Sequence, residues 1–390
     1  MSRLLCVGDL HLGAGVERYG PSRLADQAEV WSRVADVALE ESCDLVAFAG
    51  DGFERRRYPS QAELVAFDQP LRRLAAAGVP VVAVSGNHDV LAPDAPTSLD
   101  VFSDVMTVAT APQVVKAAGV SVGCLPWTPI SRLVASRNGG DRDALYEEAA
   151  ALLHAALRGL RDEIKDGPAV LLAHWSVSGA VTPTGRDVGL DFGVVLDAAE
   201  LEAMGWDAVV VGHVHKAQLL NSEHDGLRDV GPMFFTGSPL PLNHGEASCD
   251  HGVWILDVAE ATTARFVPLP SRLFVTVDLD VTHESDVVQF AAVHPPIFGG
   301  EIVRVRYEAT EEQARRISPA EIKRALLESG ASHVTIEPEI VREDRARVHI
   351  DTDNLTELDA LQLWLDSQGV NGDRGSAMVE RTQHYLAARS

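Results

Sequence analysis

Aspartate, asparagine and histidine recur in this chain at the ends of short apolar runs. LLCV leads into Gly8-Asp9-Leu10-His11, LVAFA into Gly50-Asp51, and VVAV through Ser85 into Gly86-Asn87-His88-Asp89. AVLLA leads into His174, and AVVV into Gly212-His213-Val214-His215. Taken alone, His213 and His215 are weak evidence, because two polar residues at a strand's exposed end would look the same. If the strand continued through them, alternation would set both side chains on one face. The five groups together say more. Two aspartates, one asparagine and four histidines (Asp9, Asp51, Asn87, His11, His174, His213, His215) offer oxygen and imidazole nitrogen with no thiolate. That mix suits Mn²⁺, Fe or Zn²⁺ and suits Ca²⁺ poorly. It is too large for one tetrahedral ion and fits two ions sharing a carboxylate. Two such ions can stabilise both the attacking and the leaving oxygen of a phosphoryl displacement and activate water near neutral pH.

The elements that must position these groups read as α/β. Strand-like runs LLCV, DLVAFAG, VPVVAVSG, PAVLLAH, DAVVVGH, MFFTG and GVWILDV occur up to about residue 265, with helix-like segments at 23–41, 60–77 and 143–165. Alternating strands and helices predict a layered α/β domain. In open sheets of that class the loops beyond the carboxyl ends of the strands form the ligand crevice. Five strands delivering Asp, Asn or His to that edge would bring the groups together, and glycine beside four of the five groups permits tight turns there. After PLPSR the pattern changes. FVTVDLDV, EIVRVRYEA, HVTIEPEIV and RARVHID alternate apolar and polar residues, which predicts an antiparallel sheet with one solvated face. A helix over 318–329 interrupts them, giving a small α+β domain at 272–352. The tail, 353–390, reads as a helical hairpin from LTELDALQLWLDS and SAMVERTQHYLA.

Composition sets the limits. The chain has 390 residues, 46% of them hydrophobic and 23% charged, enough for two or three domains and unlike a disordered polymer. No run is long enough to span a bilayer, and the N-terminus lacks the apolar stretch and cleavage site of a signal peptide. Cys6, Cys43, Cys124 and Cys249 form no CxxC pair, which argues against a disulfide framework and for reduced thiols in a cytoplasm. The net charge of −24 repels polyanions. Any action on nucleic acid therefore needs basic patches, metal ions or a partner to overcome that field.

The ordered series DLH, GD, GNHD, a lone His and GHVH resembles the calcineurin-like metallophosphoesterases. The resemblance implies a four-layer α/β/β/α sandwich over about 1–265. Carried over motif by motif, Asp9, His11 and His215 would hold one metal, Asn87, His174 and His213 the other, and Asp51 would bridge them. His88 would be the general acid over the phosphate, with Asp89 holding its ring. Gly8 stands where the family often has Ser. Gly52-Phe53-Glu54 stands where a bulkier apolar residue and Asp or His are frequent. Neither departure touches an implied ligand.

Within that superfamily the chain looks like the SbcD branch of DNA double-strand-break repair nucleases. HLGAG follows Asp9, His174 sits in AHWSVSGA, and TGSPLPLNHGE follows GHVHKAQ. The α+β module falls where that branch has its DNA-contacting cap, and the tail falls where it docks on SbcC, its SMC-like ATPase. The resemblance implies a homodimer, two metals with Mn²⁺ foremost, and both 3′→5′ exonuclease and single-strand or hairpin endonuclease activity. Segments 60–77 and 92–106 would contribute to the dimer. Two other functions stand beside this one: hydrolysis of a small phosphodiester or phosphoprotein, and a non-catalytic assembly role, which the complete ligand set disfavours.

Several residues keep two readings. Arg55, Arg56 and Arg57 could position DNA phosphates or form an ordinary solvated loop. Arg186 is a weaker candidate of the same kind. His154 reads as a helix-surface or boundary residue, His244 as a loop residue that could face the site, and Trp127 and Trp175 as core. The stripe Leu358, Leu361, Leu365 could pack on its own domain or meet a partner, and its place in the family layout favours the partner.

Overall fold

In the computed structural model the described residues are 1–54, 58–90, 96–134, 142–189, 193–221, 231–259, 261–280, 298–341 and 355–387. They fall into two compact units: Met1–Ala309 with Gln313–Glu339, and Thr310–Glu312 with Ile340–Ser390.

Two six-stranded sheets dominate the first unit. One contains β1 (Ser2–Val7), β2 (Leu45–Phe48), β3 (Val81–Val84), β4 (Thr107–Ala109), β13 (Gly252–Val258) and β14 (Thr263–Pro268), in the order β14-β13-β1-β2-β3-β4. The other contains β5 (Gln113–Ala117), β6 (Val120–Leu125), β7 (Ala169–His174), β10 (Ala208–Gly212), β11 (Gln218–Leu219) and β12 (Met233–Phe235), in the order β11-β12-β10-β7-β6-β5. A short parallel pair, β8 (Ser176–Val177) and β9 (Val195–Leu196), lies outside them. The pairs from β1 to β4 are parallel, and so are β6 with β7, β7 with β10, and β10 with β12. Antiparallel strands close one edge of the first sheet and both edges of the second, while β4 ends the first sheet in parallel.

Strand periodicity builds the layers. Leu4 and Cys6 of β1 and Leu45 and Ala47 of β2 face inward to Val170 and Leu172 of β7 and Val210 of β10. Leu5, Val7, Val46 and Phe48 point the other way, against helices Ser22–Glu40 and Gln61–Ala76. There Trp31 stacks on Phe67 with centroids 5.3 Å apart. On the far side Leu171, Val209 and Val211 meet Leu153, Leu157 and Leu160 of helix Arg142–Glu163. The result is the expected α/β/β/α sandwich. Burial on both faces explains why the central strands read as unbroken apolar runs. Each large buried side chain contributes roughly 1.5–3 kcal/mol. This core can hold strained backbone at its rim. Gln61–Ala76 opens on a capping box, in which Ser60 and Glu63 bond each other's backbone N–H groups.

The small sheet departs from expectation. Its strands are β15 (Phe274–Asp280), β16 (Ile302–Thr310) and β17 (His333–Val341), but β15 and β16 pair in parallel, not antiparallel. Alternating polarity reports one solvated face, and a parallel pair covered on one side satisfies it equally. Helix Pro319–Glu328 supplies that cover, packing Ile322 and Leu326 on Val303, Val305 and Tyr307. RARVHID lies outside the described residues. Arg272 ties this region to the helix Ser22–Glu40 through both oxygens of Asp26, at 2.7 and 2.8 Å.

The second unit contains helices Glu357–Ser367 and Asp373–Ala387, joined through Gly369 and Gly372, both with left-handed φ. Leu365 is fully buried and Leu358 and Leu361 are half-buried. Among the described residues of these two helices, Leu363, Trp364, Met378 and Tyr385 are the large apolar side chains left exposed.

Candidate metal centre

All seven predicted donors meet beyond the ends of β1, β2, β3, β7 and β10. The segment after β1 is zipped to the segment after β2: Asp9 N–H donates to Gly50 O at 2.9 Å, His11 N–H to Asp51 O at 3.0 Å and Leu12 N–H to Gly52 O at 3.0 Å. Asp9, His11, Asp51 and His213 all carry positive φ, between 47° and 97°, a region that costs a residue with a Cβ about 1–3 kcal/mol. Six described non-glycine residues have such a φ, and four of them are in this cluster. Strain so concentrated marks a site the fold is built to hold.

Glycine is needed where these segments touch. Gly50 has φ 93°, and a Cβ on it would meet His174 Nδ1 at 2.7 Å. A Cβ on Gly86 would collide with the carboxylate and the backbone nitrogen of Asp51.

Asp51 sits at the centre. Its Oδ2 lies 3.4 Å from His11 Nε2 and 3.4 Å from His174 Nε2. On one side Asp9, His11 and His215 present donor atoms within 4.8 Å of one another. On the other, Asn87 Oδ1 lies 3.1 Å from His174 Nε2 and 3.0 Å from His213 Nδ1. A further group of the same tightness joins His11, Asp51 and His88. Strand alternation, the expected cause, does not bring His213 and His215 together. β10 ends at Gly212, and His213 turns with φ 97° while its N–H donates to both oxygens of Asp9 at 3.0 Å.

Three of the four imidazoles, those of His11, His174 and His215, are held from behind. His174 Nδ1–H donates to Ala49 O at 2.6 Å, and His215 Nδ1 lies 3.0 Å from Glu246 Oε1. His11 Nδ1 lies 2.8 Å from Glu54 Oε2. A proton on each Nδ1 leaves Nε2 for a ligand, the arrangement that orients metal-binding histidines. Sequence reading missed Glu54 and Glu246 in this role. Glu54 stands where Asp or His is frequent in the family, and Glu246 closes the TGSPLPLNHGE element; only tertiary proximity reveals their use.

Asp89 does not hold the ring of His88. Its carboxylate accepts the backbone N–H groups of Asp51 at 2.8 Å, Gly52 at 3.1 Å and Gly86 at 2.9 Å, and the Ser98 hydroxyl at 3.2 Å. Three convergent amides claim it first. His88 Nδ1–H instead donates to the carbonyl of Glu54 at 2.7 Å, while its backbone N–H bonds Asp51 Oδ1 at 2.8 Å. Arg55, Arg56 and Arg57 lie outside the described residues.

Electrostatics also suit cations. Burial raises the Asp9 carboxyl above its usual range, against the pull of His174 and His215. Burial pushes Asp51 the same way, but His174, His11 and His88 together outweigh it and hold the carboxyl low. Burial lowers the imidazoles of His11 and His174, but the carboxylates overcome it and hold both up to about 9. His213 falls to about 3 through burial and the neighbouring His174. Buried carboxylates, imidazoles and an amide oxygen grouped around a shared Asp51 fit two divalent metals.

His154, His244 and Trp175 serve packing. His154 is buried, accepting Asp197 N–H at 3.1 Å. His244 packs on Tyr19 and Phe274 rather than the metal cluster, and burial, with Arg304 and Arg18 nearby, lowers it to about 4. Trp175 is buried against Trp127 and donates to Pro126 O.

Comparison with known proteins gives the chain its relatives. The chain is 25% identical over 299 residues to the SbcD component of nuclease SbcCD from Rhodobacter capsulatus, covering 69% of each chain. It is 27% identical over 278 residues to the protein of the same name in Bacillus subtilis, covering 68% of each. A shorter stretch of 89 residues is 38% identical to "DNA double-strand break repair protein Mre11" of Haloferax volcanii, covering 23% of this chain and 20% of that one. The family model for calcineurin-like phosphoesterases matches residues 2–217, more than half of the chain and every strand end described above, so the chain belongs to the calcineurin-like phosphoesterase family of ester hydrolases.

Proposed function

We propose that this chain is the nuclease component of a DNA-repair complex, cleaving phosphodiester bonds at the rim where the five strands end. The observation that carries the reading is the convergence of all seven donors around Asp51, together with likeness to the SbcD component of nuclease SbcCD along about two thirds of the chain. Asp9, His11 and His215 would hold one divalent ion and Asn87, His174 and His213 the other, with Asp51 between them and Mn²⁺ the expected metal. When bound, the ions supply Lewis-acid polarisation of the phosphate and activation of water near neutral pH. The chain supplies the rest. The carbonyl of Glu54 fixes the Nδ1–H tautomer of His88, so Nε2 is the nitrogen that exchanges a proton with the departing sugar oxygen. Asp89 keeps the loops after β2 and β3 in register through its three amide bonds.

The exonuclease and hairpin endonuclease activities belong to this proposal, as does an SMC-like ATPase partner of the SbcC kind. Trp364, 53% exposed on the hairpin, with Leu363 and Met378, offers an apolar face for that partner. The net charge of −24 makes DNA binding by this chain alone weak and strengthens the need for a partner.

The test is incubation of the full chain with Mn²⁺ and either a labelled hairpin DNA or a chromogenic phosphodiester. Cleavage of DNA is expected. Turnover of the small ester with DNA left intact, even with the ATPase present, overturns the reading. His88→Ser should keep both metals and lose cleavage; loss of one metal would make His88 a ligand.

A further inference from the structure

A cavity of about 350 Å³ is lined by His213 and His215 of the metal cluster and by Thr182, Pro183, Thr184 and Arg186 of the turn that follows β8. Whatever occupies it adjoins a phosphate bound at the rim. We propose that it is a nucleotide subsite, seating the sugar–phosphate unit next to the scissile phosphate; the inference rests on the nuclease reading and gives that site its substrate contacts.

The wall is preorganised. Val181 bridges Asp187, Thr182 N–H donates to Arg186 O at 2.8 Å, and Arg186 N–H returns to Thr182 Oγ1 at 3.1 Å. Gln218 pins the turn from beneath, accepting Val181 N–H and donating to Val181 O, both at 2.9 Å. A wall fixed before binding spares the ligand the cost of ordering it.

The chemistry matches a nucleotide. Val214 and Pro183 give apolar surface for a sugar or base, while Thr182, Thr184, Asn243 and Arg186 set hydroxyl, amide and guanidinium groups around it. Among the described residues that line the cavity Glu246 is the one acid, and its charge is already engaged. It accepts from Leu242 N–H at 2.9 Å and Asn243 Nδ2 at 2.9 Å, and lies 3.0 Å from His215 Nδ1. A phosphate entering beside Arg186 meets a guanidinium and threonine hydroxyls, in a chain whose overall field would repel it. The volume lies within the range of pockets that enclose one small ligand and is far too small for a duplex.

The experiment compares the full chain with Arg186→Ala and with Arg186→Ala/Thr184→Val. Two measurements are made: kcat/KM with Mn²⁺ on a short labelled single strand and on a chromogenic phosphodiester, and binding of the same strand under chelator across a salt series. The DNA-to-ester ratio of kcat/KM should fall about tenfold, mainly through KM, and the salt slope of binding should shrink by about one. Arg186→Lys, which keeps the charge, should recover most of the salt slope. An unchanged ratio and slope in variants of wild-type thermal stability overturn the subsite while the nuclease reading stands. A wild-type chain that turns over the ester and leaves DNA intact overturns both.

Discussion

Nδ1 of His11 lies 2.8 Å from Oε2 of Glu54, a residue three positions past the central Asp51. The contact turns Glu54 into the group that orients His11, and it gives a first prediction. Glu54→Gln should weaken Mn²⁺ binding about tenfold or more while leaving the fold intact, because such outer partners commonly carry that much of a site's affinity. Isothermal titration with Mn²⁺ reads it directly. Glu246→Gln should act likewise through His215. Affinity equal to wild type in both variants would mean the imidazoles are held by packing alone.

Asp89 gives a second prediction, opposite to that of a residue orienting His88. Its carboxylate, pushed up to about 7 by burial and by Asp51, gathers three backbone amides and one hydroxyl. Asp89→Ala orphans all four donors, which should cost about 3–5 kcal/mol of stability and both metals together. Thermal unfolding under chelator and metal content after reconstitution check this. A variant with wild-type stability, full metal content and only a shifted pH–rate profile would restore the ring-orienting role.

Which parts were legible in the sequence follows from how each is buried. The central strands lie inside the sandwich on both faces, so β1, β2, β3, β7 and β10 stand out as apolar runs and their polar ends stand out against them. Edge strands do not. Gln113–Ala117 is half exposed and carries Lys116, and Thr263–Pro268 pairs on one side only, so both read as ordinary polar segments. The parallel pairing of β15 with β16 was hidden because alternation reports which face is wet and not which way the neighbour runs. Partners such as Glu54 for His11 and Asp89 for Asp51 were hidden for another reason. They join residues 43 and 38 positions apart, and no local pattern encodes a contact of that kind.

Gly86 is where two of the five loops approach most closely, and it makes a third prediction. Any Cβ there collides with the Asp51 carboxylate and its backbone nitrogen, which are themselves tied to His88 and Asp89. Gly86→Ala should therefore displace the shared carboxylate and abolish binding of at least one ion, even where the protein still folds. Metal content by elemental analysis, beside circular dichroism, separates the two effects. Two ions retained at wild-type affinity would show that the loop shifts without disturbing Asp51.

The imidazoles of His11 and His174 make the last prediction, in which pH acts in opposite senses on the metal-free and the metal-loaded chain. Both are held up to about 9 in the metal-free fold, against an ordinary value of 6.5. A raised imidazole stabilises the fold fully below 6.5 and loses that contribution as pH rises through about 9. Asp9, whose carboxyl burial also raises, acts in the same direction, while Asp89 and His213 contribute little over the upper part of this window. Asp89 has passed its midpoint near 7, and His213, at about 3, is neutral in both folded and unfolded chains. The chelated protein should therefore melt at lower temperature at about pH 9 than at about pH 7. Metal ligation needs both imidazoles unprotonated, so Mn²⁺ must displace their protons, and its apparent affinity should rise by up to about tenfold per proton per pH unit until about 9. Titration in buffers of different ionisation enthalpy should register release of up to two protons. Melting temperatures that hold steady or rise with pH under chelator, or Mn²⁺ binding without proton release near neutrality, would place the charge of the metal-free site elsewhere than on His11 and His174.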